Sequence, residues 1–317
     1  DTEISRANGY YPAFYCSILV TLMERALRGE YSYLSGVIIP TTCDGLRNLE
    51  ENWKFALPEM PVMSLVQPAN CTHPAAEDYY LSELEDVKEK LEEISGNSIT
   101  DKALRTSINA YNKQRAAMRE FDLVAAAHPG VVTPWKRHVV YKAAQVLPVR
   151  VHTEMVIQIN QELSNLSNDT FKGLRLVATG ILLDSKPLLD ELEKQNIAIV
   201  GDVLSAESVR FAKDAPGNVD PFVSLAHIWL DIENTSVALD PTKQRGETLA
   251  ALAKERSADG ALINVTKFCE EEEYDFPVIK KQLADADVPL LYLETAQQDH
   301  INEQATTRIQ AFAEMIG

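Results

Sequence analysis

Residues 174–203, LRLVATGILLDSKPLLDELEKQNIAIVGDV, decide the fold. A short apolar run ends at a glycine, a helical stretch follows with leucines at three- and four-residue spacing, and a second β-branched run closes the unit. Two strands joined by a helix in this way lie parallel, with a right-handed crossover. The alternation continues to the C-terminus. PFVSLAHIWLDIE and GETLAALAKERS read as helices leading to the strand GALINV, FPVIKKQLADA as a helix leading to the strand PLLYLE, and NEQATTRIQAFAEMI as a closing helix. Residues 171–317 therefore read as a doubly wound α/β lobe.

Toward the N-terminus, 36–40 reads as a strand, 44–56 as a helix and 60–68 as a second strand, which makes 1–76 a first α/β lobe. Residues 77–170 form a helical connecting segment, with breaks expected at Ser95–Asn97 and His128–Gly130. The expected architecture is α/β: two doubly wound parallel-sheet lobes joined by a helical segment. The chain has no initiator Met and opens inside what reads as a domain, so lobe one is expected to be incomplete at its N-terminus.

With 317 residues, 45% of them apolar, the chain has enough material for two packed lobes. A formal charge of −17 argues against a nucleic-acid footprint, which needs a basic surface. No apolar run approaches the ~20 residues that cross a bilayer, so no membrane partner is expected and the compartment is read as cytoplasmic. No glycine-rich dinucleotide or P-loop motif occurs, and the six histidines show no metal spacing. His227, in VSLAHIWLDI, reads as a packed helical residue.

Four cysteines remain: Cys16, Cys43, Cys71 and Cys269. They are too few and too scattered for a disulfide framework. In an open parallel sheet, ligands gather outside the carboxyl ends of the strands. Cys43 in GVIIPTTC and Cys269 in GALINVTKFC both stand there, one in each lobe. A helix starting just after each thiol is expected to favour the thiolate. Two readings stand at this point, ordinary core thiols or ligands of an iron–sulfur cluster, since the compact C-x2-C spacing of an obvious metal site is absent. The acidic run Glu270–Glu273 reads as a favourable charge set at a helix start, with modulation of a nearby cluster as the lesser alternative.

Six stretches together resemble the 2-hydroxyacyl-CoA dehydratases and benzoyl-CoA reductases: YYPAFYCS (10–17), LSGVIIPTTCDGLRNLEENWKFALP (34–58), GILLDSKPLLDELEKQNIAIVGD (180–202), DPTKQRG (240–246), DGALINVTKFCEEEEYDFPVIKKQL (259–283) and NEQATTRIQAFAEM (302–315). The last resembles the closing helix of the β subunits of 2-hydroxyisocaproyl-CoA dehydratases. The resemblance implies a [4Fe–4S] cluster held by Cys16, Cys43 and Cys269 in the cleft between the lobes, and it supplies no role for Cys71. It also implies a related α subunit as heterodimer partner, and an ATP-hydrolysing iron–sulfur activator protein as electron donor. The implied substrate is a 2-hydroxyacyl-CoA, and no catalytic side chain on this chain is identified.

The implied chemistry answers a pKa problem, because elimination of water must take a proton from an unactivated β-carbon. One electron placed in the thioester carbonyl gives a ketyl radical anion. That species expels the hydroxyl group and acidifies the β-proton, after which the electron is recovered. Two rivals are weighed beside this expectation: a subunit of an aryl-CoA reductase of the benzoyl-CoA type, and a two-lobed ligand-binding module whose cysteines are core thiols.

Overall fold

The computed structural model describes residues 3–167, 169–297 and 303–317, so His300 and the first residue of the expected closing helix, Asn302, lie outside the described residues. Helix α1 (Ser17–Leu27), strand β1 (Val37–Pro40), helix α2 (Asp44–Ala56) and strand β2 (Val62–Leu65) form the N-terminal α/β unit. Its sheet is a parallel pair, with Val37 opposite Val62 and Pro40 opposite Leu65. Leu19 and Met23 of α1 pack with Ile39 of β1 and with Leu49 and Trp53 of α2, so both helices bury their apolar stripe against the pair.

Four helices follow: α3 (Ala76–Ser95), α4 (Asp101–Ala127), α5 (Pro134–Ala143) and α6 (Val149–Ser164). The expected breaks fall where Gly96 takes a left-handed φ of 66° to end α3 and where His128 ends α4. A further break, between α5 and α6, precedes Pro148, which cannot continue a helix.

The second sheet contains β3 (Leu174–Gly180), β4 (Ile197–Leu204), β5 (Gly260–Thr266) and β6 (Leu290–Thr295), all parallel, in spatial order β4-β3-β5-β6. Every residue of β4 and β5 is buried, as a sheet covered on both faces requires. Period-two alternation divides the strands between two cores. Leu176, Ile197, Leu262 and Leu291 face α7 (Lys186–Lys194) and α11 (Glu303–Ile316). Val177, Ala198, Ile263 and Val265 face α9 (Arg245–Glu255) and α10 (Glu270–Asp285). Each large aliphatic side chain buried in this way contributes ~1.5–3 kcal/mol.

Helix α8 (Pro221–Leu230) departs from the expected pattern of sheet-covering helices. Ala226 and Trp229 pack on Tyr80 of α3 instead, and the Trp229 indole N–H donates to the carbonyl of Pro68 just beyond β2 (2.9 Å). Its strongly apolar sequence suits a site between helices as well as a sheet face, and periodicity alone cannot separate the two. Among the described residues, no helix is long and apolar enough to cross a membrane.

Candidate functional site

Cys43 stands three residues beyond the end of β1, and Cys269 three residues beyond the end of β5. Both, with Cys16, are the N-cap residues of helices: Cys16 of α1, Cys43 of α2 and Cys269 of α10. The sulfur of Cys43 does what a serine oxygen does at this position, accepting the Leu46 backbone N–H at 3.4 Å.

The first two helix starts meet through Gly45. A β-carbon there would lie 2.5 Å from Leu19 Cδ1 and 3.6 Å from Cys43 Sγ, so a larger residue would force the Leu19 side chain to move. The Tyr15 hydroxyl closes the same corner, donating to the Gly45 carbonyl (3.4 Å) and accepting from the Asn48 amide (2.8 Å). The segment that carries Cys16 is anchored from α1. Fully buried Glu24 accepts the backbone N–H groups of Ser5, Arg6 and Ala7 at 2.7–3.0 Å. On the other side, the Gln297 N–H, just past β6, donates to Ser17 Oγ at 3.1 Å, which brings the start of α1 to the carboxyl edge of the second sheet.

Cys269 is reached through strained backbone. Phe268 has φ +63°, uncommon for a bulky side chain, and such outliers cost ~1–3 kcal/mol and persist where the surroundings impose them. The Cys269 Sγ lies 3.8 Å from the Glu271 carboxylate.

Burial pushes all three thiols above their ordinary pKa, Cys269 furthest, while backbone N–H groups of the first helical turns pull the other way. The expectation that helix starts alone would favour thiolates is thus corrected for the metal-free chain: desolvation outweighs the helix ends. Glu271 adds its negative charge to all three. Cys16 is also felt by both Cys43 and Cys269, so the three thiols share one electrostatic neighbourhood.

Among the described residues, no three His, Cys, Asp or Glu side chains sit closely enough to hold a single metal ion. The cysteine ligands of an iron–sulfur cubane each bind a different iron and stand farther apart than donors to one ion. Three thiols on three helix starts, ringed by N–H donors, suit that group chemically.

Cys71 lies elsewhere. Its thiol faces the carbonyls of Pro68 (3.5 Å) and Trp229 (3.8 Å), among the side chains that join α3 and α8. His227 bridges Asp231 and Glu77 at 3.0 Å each; burial opposes its charge, but the two carboxylates raise its pKa.

The acidic run Glu270–Glu273 fills the first turn of α10, as expected, but it is not uniformly solvated. Glu272 is fully buried and pairs with Arg245 at 2.6 Å. The run 270–273 has a second reading from sequence, a charge near the cysteines, and Glu271 is the member that acts on all three thiols; the feature that escaped the sequence is a buried ionic network around Arg137. The Arg137 guanidinium reaches Asp122 and Asp202 (2.5 Å each) and Glu207 (3.3 Å), and Arg256 completes the network on Asp122 (2.7 Å). A charged residue inside the apolar run IAIVGDV was the available signal for Asp202.

A parallel α/β chain with thiols capping helices beyond its strand ends defines a class, and comparison with known proteins narrows it. The family model described as "2-hydroxyglutaryl-CoA dehydratase, D-component" matches residues 1–316. The chain belongs to this 2-hydroxyacyl-CoA dehydratase family. It is 40% identical over 316 residues to the (R)-phenyllactyl-CoA dehydratase β subunit of Clostridium sporogenes, covering 100% of this chain and 84% of that protein. It is 37% identical to the lactoyl-CoA dehydratase subunit β of Anaerotignum propionicum, covering 99% of this chain and 83% of that protein. To the (R)-2-hydroxyglutaryl-CoA dehydratase subunit β of Acidaminococcus fermentans it is 33% identical, covering 98% and 83%.

Proposed function

We propose that this chain is the β-type iron–sulfur subunit of a radical 2-hydroxyacyl-CoA dehydratase, a lyase forming a 2-enoyl-CoA by loss of water. The observation that supports the reading is that Cys16, Cys43 and Cys269 each cap a helix and all feel the charge of Glu271. When bound there, a [4Fe–4S] cluster would supply one-electron transfer. The chain itself supplies three sulfur donors, first-turn N–H groups that stabilise negative charge on sulfur, and a carboxylate that disfavours an added electron. The three thiols must lose protons on loading, because burial keeps them neutral in the metal-free chain.

The names of the relatives support a 2-hydroxyacyl-CoA substrate and a related α subunit as partner, and they differ in acyl group. Electron delivery is assigned to a separate ATP-hydrolysing activator, consistent with a sequence that carries no P-loop motif. In this reading residues 1–76 and 171–317 are the two lobes, 77–170 the connecting segment, and the cluster lies in the cleft between lobes of a cytoplasmic enzyme.

The test is anaerobic reconstitution with iron and sulfide, read by iron content and visible absorbance, and then by turnover with the co-expressed partner and activator. Cys43→Ser removes most of the absorbance and activity, whereas Cys71→Ser leaves both unchanged. Iron retained in the Cys16, Cys43 and Cys269 variants but lost in the Cys71 variant overturns the ligand assignment.

A further inference from the structure

Tyr15 stands immediately before Cys16, yet its side chain crosses to the helix start that carries Cys43. Its hydroxyl accepts the Asn48 amide N–H of α2 at 2.8 Å and donates to the Gly45 carbonyl at 3.4 Å. The second contact is well beyond the ~2.7–2.8 Å usual for O–H···O, so the oxygen is fixed by Asn48 while its hydrogen is only weakly engaged. The ring is held from the other side as well. It stacks on buried Tyr11, with centroids 4.6 Å apart and planes at 28°.

The same hydroxyl shares a small space with a thiol. A β-carbon on Gly45 would stand 3.6 Å from Cys43 Sγ and 3.8 Å from the Tyr15 hydroxyl, so both groups border the gap that the bare Cα leaves. The phenol also feels both Cys43 and Cys16 as charges. A neutral phenol donates as well as accepts, and here Asn48 takes up its accepting side. The remaining proton is therefore available to a nearby sulfur that carries negative charge.

We propose that the Tyr15 hydroxyl donates a hydrogen bond to sulfur at the Cys43 corner of the bound cluster, with Asn48 and Tyr11 holding it in place. The proposal rests on the cluster reading given above and makes Tyr15 a positioning residue, not a ligand. Rotation about the C–O bond turns the hydroxyl hydrogen from the Gly45 carbonyl to the sulfur without moving the ring. Hydrogen bonds to cluster sulfurs favour the more negative, reduced state and raise the potential. Tyr15 thus acts against the charge of Glu271.

The test is Tyr15→Phe in the full chain, which keeps the stacked ring and removes only the hydroxyl. After anaerobic reconstitution with iron and sulfide, iron content should match the unaltered chain. The midpoint potential should fall by about 60 mV, a tenfold shift for a one-electron couple. In deuterated water, the reduced cluster of the unaltered chain should show an exchangeable deuteron by electron–nuclear double resonance, and the variant should lose it. Asn48→Ala keeps the donor but frees the ring, so it should leave the potential near that of the unaltered chain. In metal-free protein, both variants should speed amide hydrogen exchange over residues 10–16, whereas Tyr33→Phe, at a side chain 77% exposed, should change nothing. Failure of the unaltered chain to take up iron overturns the cluster reading itself. Iron retained in Tyr15→Phe with an unmoved potential, or exchange over 10–16 unchanged in both variants, overturns the role of Tyr15 alone. Loss of iron in Tyr15→Phe would make the hydroxyl a requirement for assembly and overturn its tuning role.

Discussion

Arg245 and Glu272 meet at 2.6 Å with almost no exposure on either side, 4% and 0%. The pair joins the start of α9 to the first turn of α10, three residues past Cys269, and Lys243 supports it through Asp275 (2.7 Å). The turn that presents Cys269 is therefore fixed by a charge pair rather than by packing alone. Glu272→Ala leaves the buried guanidinium with only Asp275, at 3.6 Å, and should cost about 3 kcal/mol in urea unfolding of the metal-free chain. Iron loading should fall with it. Unchanged stability and iron content would show that the turn holds itself.

Arg137 of α5 carries a comparable burden, joining α4 to β4 and the chain that follows it. Burial pushes the carboxyls of Asp122 and Glu207 up even with this cation among them. Arg137→Met removes the shared positive charge and should destabilise the chain by about 4 kcal/mol at neutral pH, measured by denaturant unfolding. The deficit should shrink in mild acid, where the freed carboxyls can take up protons.

Glu24 predicts an acid limb. Burial opposes its charge, but the N–H of Ala7, the Arg28 guanidinium and the N–H groups of Ser5 and Arg6 outweigh it and lower its pKa from the ordinary 4.5 to about 2. The unfolded chain binds a proton here at higher pH than the folded one does. The stabilisation is therefore complete above about pH 4.5 and is lost as the pH falls toward 2. Glu24→Gln should cost about 2–3 kcal/mol at pH 7 and flatten this limb. A parallel pH profile in the variant would assign the limb to other carboxyls.

Glu271 gives a prediction with two readouts. In the metal-free chain, Glu271→Gln removes a negative charge felt by all three thiols, so thiolate forms at lower pH and alkylation of Cys269 by iodoacetamide at pH 8 should speed up. In cluster-loaded protein the same change should raise the midpoint potential by on the order of 60 mV, a tenfold shift for a one-electron couple. An unmoved potential would place Glu271 outside the electrostatics of the site.

Much of the scaffold could be read from local pattern. The helix over 44–56 and the units β3–α7–β4 and β5–α10–β6 follow from apolar periodicity, because their interior is built by neighbours in sequence. Strand ends bearing Cys43 and Cys269 were visible for the same reason. Cys16 was not: it precedes a helix rather than following a strand, and only the family resemblance singled it out. The destination of α8 and the network of Arg137 were also hidden. Arg137 sits in PWKRHVVYKA, which reads as a solvated helix face, and its carboxylates come from 15, 65 and 70 positions away in the chain. Pairings at such separation leave little local trace beyond an out-of-place Asp202.

The three cap cysteines also impose an order in time. Cys16 and Cys43 leave the ribosome together, while Cys269 follows more than two hundred residues later. At ~5–20 residues per second, roughly 10–45 s of translation separates the early thiols from the late one. Through that interval the first two helix caps exist without the third, so the corner they share can be completed only once Cys269 has been made.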